Sequence, residues 1–163
     1  MTRLRTATLV HEGGNRFVAT TGTTRTIVYG DAFAKGELSP VETLVVSLAA
    51  CSGMDVAAIA AKKRQRIDRY EIRVEAEQRD EYPQVLTRAD VLHQVEGPHV
   101  EEAAIRRAIE LSATKYCPVN AMLSAGPTEV HHRYRVRSTG PQPAEAEGEV
   151  GVTGPYRRAD VVA

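Results

Sequence analysis

Tryptophan is missing from this sequence, aromatic residues make up only 5% of it, and cysteine occurs twice in 163 residues. Two cysteines cannot build the multi-disulfide framework that staples small secreted domains, so a lone thiol pair is more often reactive or merely buried. Net charge is lacking too, because 21 Lys and Arg offset 21 Asp and Glu. That balance leaves no basic footprint for nucleic acid or an anionic membrane surface, and the expected partner is a small molecule or another protein. No phosphate-cradling glycine loop and no internal repeat is present, so nucleotide chemistry has no support. The five histidines (His11, His93, His99, His131 and His132) match no common metal-ligand spacing. Neighbours such as His131 and His132 point to opposite faces of a strand, and neither a metal nor another cofactor is expected. Thr2, Arg3 and Arg5 run straight into a polar stretch, so we expect no secretion leader and a cytoplasmic protein.

One apolar run approaches the roughly 20 residues that a bilayer requires. From Val41 to Ala61 only Glu42 and Asp55 carry charge. The run is rich in Ala, Ser and Gly, holds an acid inside, and leads into Lys62, Lys63 and Arg64. It reads as the buried central helix of a soluble core and not as a membrane span. Ser39, Pro40 and Glu42 supply an N-cap, a first-turn proline and a capping-box acid, so the helix should start near residue 40. The basic run suits its negative end.

Before it, Thr- and Val-rich segments punctuated by Gly13-Gly14-Asn15 and Thr21-Gly22 predict short antiparallel strands. After it, Tyr70, Ile72, Val74 and Ala76 alternate with charged residues as a half-buried strand does. A turn at Asp80 to Pro83 leads to a second strand carrying Val91, His93 and Val95 on one parity. Val100 to Thr114 has helical spacing, Pro118 breaks it near Tyr116-Cys117, and a short helix resumes through Met122 and Leu123. A last strand places Val130, His132, Tyr134 and Val136 on one face. From Ser138 onward Pro, Gly, Ala and Glu dominate, a composition that predicts a flexible tail outside the core. The reading is thus one compact domain over residues 1–137 and a tail over 138–163.

Cys51 lies mid-helix among Ala49, Ala50, Ser52 and Gly53. Small neighbours leave room for a substrate atom, yet many lone cysteines in apolar helices are simply core. Cys117 precedes Pro118 and falls near the N-cap of the short helix, where the dipole and Lys115 favour a thiolate. If the helices pack, the two sulfurs can form a peroxidatic and resolving couple. Local physics does not say which attacks, and the dipole alone points to Cys117. Glu42 has a structural role as capping partner of Ser39, and Arg16, beyond the first glycine turn, is a candidate to stabilise a thiolate.

The run Ser39-Pro40-Val41-Glu42-Thr43-Leu44 through Ala49-Ala50-Cys51-Ser52-Gly53-Met54-Asp55-Val56 resembles the central-helix motif of the OsmC/Ohr family. Leu111-Ser112-Ala113-Thr114-Lys115-Tyr116-Cys117-Pro118-Val119 resembles that family's second cysteine motif. The likeness covers roughly residues 3 to 137. Within the family it is nearest to the YhfA-like branch, through Met54-Asp55-Val56, the hairpin at Arg79 to Pro83, and Lys115-Tyr116-Cys117. It implies an α/β fold of the α+β kind, with antiparallel curved sheets around a long buried central helix in an intertwined homodimer. It further implies a thiol-dependent peroxidase acting on organic hydroperoxides or hydrogen peroxide in oxidative stress defence. Cys51 is the implied attacker and Cys117 the resolver, recycled by a dithiol reductant such as a lipoylated protein. The family glutamate directly after the motif's proline is Val41 here, with Glu42 one residue on, and Arg16 matches the family's partner arginine only in general location. The other reading of the same fold is a non-catalytic dimeric module that binds a ligand or senses redox state.

Overall fold

The computed structural model describes residues 7–13, 16–21, 26–29, 38–152 and 160–162. They fall into two units, Met1–Leu44 and Val45–Ala163, where one domain was expected. Among the described residues the first unit carries a three-stranded sheet and the second a five-stranded sheet.

In the first unit β1 (Ala7–Gly13), β2 (Arg16–Thr21) and β3 (Thr26–Tyr29) form an antiparallel meander as anticipated. Val10, Val18 and Val28 sit in one cross-strand row. Helix α1 (Pro40–Lys62) begins where the capping signals placed it. The Ser39 N–H donates to Glu42 Oε2 at 2.7 Å, and the Glu42 N–H donates back to Ser39 Oγ at 3.2 Å. At its other end Arg64 takes a left-handed φ of 58°. The Arg64 and Gln65 N–H groups return to the carbonyls of Ala61 and Ala60, which is the two-bond Schellman closure with arginine in the place usually held by glycine.

In the second unit β4 (Arg69–Gln78), β5 (Leu86–Gly97), β6 (Glu129–Ser138), β7 (Ala144–Val152) and β8 (Asp160–Val162) form one sheet in sequence order. The α/β fold is the one expected, but one ladder inside it is parallel, β5 with β6. Parallel neighbours need a long crossover, and here α2 (Glu102–Leu111), a π-helical turn (Ser112–Tyr116) and α3 (Pro118–Ser124) supply it. One face of the sheet is laced with cross-strand ion pairs, Arg133 with Asp90 and Glu149, Arg135 with Glu147, and Arg137 with Glu145. The opposite face carries the core.

That core has two apolar clusters. One joins Val56 and Ala60 of α1 to Ile105 and Ile109 of α2 and to Val95, Val136 and Val150 of the sheet. The other joins Leu48 of α1 to Ala89, Val91 and Val130. So α1 buries a single stripe, Leu48, Ser52, Val56 and Ala60 at four-residue spacing, together with Gly53. It is not buried on nearly all sides, as its composition suggested. Val46 and Met54 stand 56% and 75% exposed, about 200° around the helix from Leu48 and Val56 at 3.6 residues per turn. The helix is long and apolar enough to cross a membrane by length and composition. Its buried stripe nevertheless packs on protein.

The proposed tail requires correction. Residues 144–152 are strand β7, antiparallel to β6, and β8 pairs with β7 in turn. Ala144, Ala146, Gly148 and Val150 share one parity of β7, and Val150 is 0% exposed. A side chain at Gly148 would collide with the Tyr134 ring directly opposite. Small residues therefore reflect close packing here, not disorder. Val150→Ala is expected to lower unfolding free energy by about 2 kcal/mol, read from urea denaturation. A solvated tail would give no measurable change.

Candidate functional site

The i, i+4 geometry of α1 places Cys51 and Asp55 on one face of the helix, and the crossover brings Cys117 against them. Cys117 ends the π-helical turn and caps α3 with its sulfur, which accepts from the Asn120 N–H at 3.3 Å. Pro118 follows as the first helical residue, where its missing N–H costs nothing. Both cysteines are free, and the Cys117 thiol donates to Cys51 Sγ across 2.7 Å. The pair inferred from two separate motifs is therefore assembled in the structure.

The two sulfurs differ in access. Cys51 is half-buried, whereas Cys117 is 3% exposed. Burial pushes the Cys117 thiol up to about 12, the bond to Cys51 adds to the shift, and the Asn120 N–H opposes it only in part. The helix-dipole argument for a thiolate at Cys117 is thus overridden by desolvation. Cys117 keeps its proton at neutral pH.

Around the pair, Ser112 Oγ donates to Asp55 Oδ2 at 3.0 Å, linking the start of the π-turn to α1. A cleft of about 520 Å³ opens beside Cys117, with Thr114, Lys115, Tyr116 and Met122 in its walls. Tyr116 and Met122 are exposed there. Asp55, Ser112 and Asn120 were not among the candidate site residues. For Asp55 a signal existed, since it is one helical turn from Cys51.

Of the other two candidate residues, Glu42 is occupied at the helix start, where its bonds to Ser39 hold its carboxyl below the usual range. Arg16 opens β2 opposite Gly13, and its side chain lies outside the described residues. Cys51, Asp55 and Cys117 each offer one ligand atom within 4.8 Å of the others. Two thiolates on one tetrahedral zinc ion stand about 3.8 Å apart, given Zn–S bonds of about 2.3 Å. The observed sulfur separation is an ångström shorter and suits a bond between the sulfurs better than a shared ion.

Comparison with known proteins places this arrangement. Residues 33–133 match the model of the family described as OsmC-like protein. Protein YhfA of Escherichia coli K12 is 36% identical over 98 residues, which span 60% of this chain and 72% of that protein. Among solved structures, an OsmC-like protein from Mycoplasma pneumoniae superposes with a TM-score of 0.72 at 18% identity, covering 83% of this chain and 99% of its own. The organic hydroperoxide resistance protein OhrB of Bacillus subtilis has a TM-score of 0.58 at 15% identity, covering 81% and 98%. At those identities the two structures establish a shared fold, while the family match rests on the sequence itself. The chain belongs to the OsmC-like protein family.

Proposed function

We propose that this protein is a thiol-dependent peroxidase of the cytoplasm that reduces organic hydroperoxides or hydrogen peroxide through Cys51 and Cys117. The observation that carries the reading is the 2.7 Å contact between a half-buried Cys51 and a buried, protonated Cys117. The hydroperoxide resistance assigned by name to the fold relative from Bacillus subtilis agrees with it.

In this scheme the Cys51 thiolate attacks the outer peroxide oxygen, the O–O bond breaks, and the departing alkoxide takes a proton to leave as alcohol. Cys51 is then a sulfenic acid. Cys117 sulfur attacks Cys51 sulfur, the S–O bond breaks, and the hydroxide leaves as water with the proton that Cys117 gives up. A dithiol reductant, such as a lipoylated protein, returns the disulfide to two thiols by exchange. The cleft beside Cys117 would receive the organic part of the substrate against Tyr116 and Met122. The exposed apolar stripe of α1, with Val46 and Met54, supports a homodimer in which a second copy covers it.

The test is direct. Reduced protein is treated with a slight excess of an organic hydroperoxide, quenched with an alkylating reagent, and weighed intact. Loss of two hydrogens from the wild type, with a sulfenic acid trapped at Cys51 in Cys117→Ser, is expected. Two thiols surviving in folded protein would overturn the peroxidase reading in favour of a ligand-binding or redox-sensing module.

A further inference from the structure

A line of buried polar side chains runs from the sheet to the resolving thiol, and the reaction just described makes no use of it. Tyr70 Oη lies 2.7 Å from His93 Nδ1, His93 Nε2 lies 3.0 Å from His132 Nδ1, and His132 Nε2 lies 2.9 Å from Asn120 Oδ1. Both imidazoles and Asn120 are 0% exposed. The line comes from β4, β5, β6 and α3 in turn, so four elements meet in it.

Its direction is fixed at the Asn120 end. Asn120 Nδ2 donates to the Ala113 carbonyl at 2.9 Å, which turns Oδ1 toward His132. His132 must therefore carry its hydrogen on Nε2 and accept on Nδ1. His93 then donates from Nε2 and accepts the Tyr70 hydroxyl on Nδ1. Each atom in the line has one role and one partner. Desolvation favours the neutral form of both rings, and a second proton on His132 Nδ1 would set it face to face with the His93 Nε2–H.

Asn120 in turn holds Cys117 from both sides. Its side chain ties to Ala113 in the π-turn, and its own N–H bonds Cys117 Sγ at the start of α3. An amide does not gain or lose protons at ordinary pH, so the line ends in an anchor and not in a proton channel.

We propose that Tyr70, His93 and His132 are positioning residues for the resolving thiol, locking Asn120 so that Cys117 is held where it closes onto Cys51. The inference rests on the reading of Cys51 and Cys117 as a redox couple. It assigns the buried histidines, which match no metal spacing, a part in disulfide formation. Polar groups sealed in a core are costly unless every one is satisfied, and here the satisfied set converges on the sulfur that must be placed.

The experiment measures the equilibrium between the thiol pair and its disulfide in dithiothreitol buffers, using the full chain and no peroxide. His132→Leu is expected to lower the equilibrium constant for closing the disulfide by about tenfold, because a loosened thiol loses part of its proximity advantage. His132→Gln, whose side-chain amide can still donate to Asn120 Oδ1, is expected to stay within about twofold of the wild type. A wild-type value in His132→Leu would overturn the inference, as would an equal fall in both variants, which would mark a packing effect alone. Should His132→Leu fail to fold, Tyr70→Phe removes only the hydroxyl at the half-buried end. In that variant the disulfide should be about threefold less favoured, because the His93 ring loses one of its two anchors, while nitrogen NMR should still find its hydrogen on Nε2 where His132 Nδ1 holds it; an unchanged equilibrium would overturn the inference. A parallel hydroperoxide reaction keeps the two ideas apart. If the wild type resists peroxide while His132→Leu still weakens the disulfide, the peroxidase reading falls and the positioning role stands.

Discussion

Cys51→Ser is expected to lower hydroperoxide turnover by about three orders of magnitude or more, since a serine hydroxyl without an adjacent base is a far poorer nucleophile than a thiolate. Peroxide consumption followed with purified protein and an excess of dithiol reductant would measure it. The substitution is close to isosteric and the position is only half-buried, so stability should change by about 1 kcal/mol or less. Loss of activity would therefore not reflect unfolding. Cys117→Ser is expected to behave differently: one peroxide is consumed per chain at close to the wild-type rate, and then turnover stops with sulfenic acid at Cys51. The proposed order of roles rests on burial, because Cys117 is the sulfur kept protonated and Cys51 is the less buried of the two. If Cys51→Ser kept turnover while Cys117→Ser abolished the first step, the two roles would have to be exchanged.

Acid should be the solution condition that most readily unfolds this protein. Burial holds the His132 ring down to about 4 from an ordinary 6.5, and His93 is displaced in the same direction. Both folded-state values lie below the unfolded one, so the stabilisation is fully present above about pH 6.5 and is lost as pH falls through that value toward 4. For His132 alone the loss amounts to about 3 kcal/mol by pH 4, and His93 adds to it. The groups facing these rings offer no relief. His93 meets the Tyr70 hydroxyl and His132, while His132 meets Asn120 and feels His131 as a further positive charge when that ring is protonated. Urea unfolding followed from pH 7.5 to 4 should show a slope approaching two protons taken up per chain. A His93→Gln, His132→Gln double variant should be markedly flatter over the same range. A wild-type curve as flat as that of the variant would place the acid sensitivity elsewhere.

How far the sequence reaches depends on how local the signal is. The start of α1 is written in Ser39, Pro40 and Glu42, three neighbours whose bonds close within one turn. Strand β4 is written in the alternation of Tyr70, Ile72 and Val74 with charge, and the thiol pair in two motifs. Strand β7 escaped because its composition of Ala, Gly and Glu buries little per residue. The parity of Ala144, Ala146, Gly148 and Val150 was nevertheless there to be read. The histidine line lies beyond such reading, since His93 and His132 are 39 residues apart and meet only because β5 and β6 run parallel. Its local traces are that His93 shares a parity with Val91 and Val95, and His132 with Val130 and Val136, polar residues among valines destined for the core. The exposed side of α1 was misjudged for another reason: an apolar helix in sequence looks the same whether its cover comes from its own chain or from a partner.

The 66-residue separation of the two cysteines also ties their chemistry to the fold. Between them in the chain lie β4, β5, α2 and the π-turn, and in the folded chain the sulfurs are brought together by a crossover that docks Ser112 on Asp55 and seats α3. A growing or unfolded chain therefore carries two ordinary, distant thiols that meet only through chance loop closure. Chemical competence arrives with the tertiary structure, so an oxidant meeting the chain too early finds no partner thiol waiting for the first.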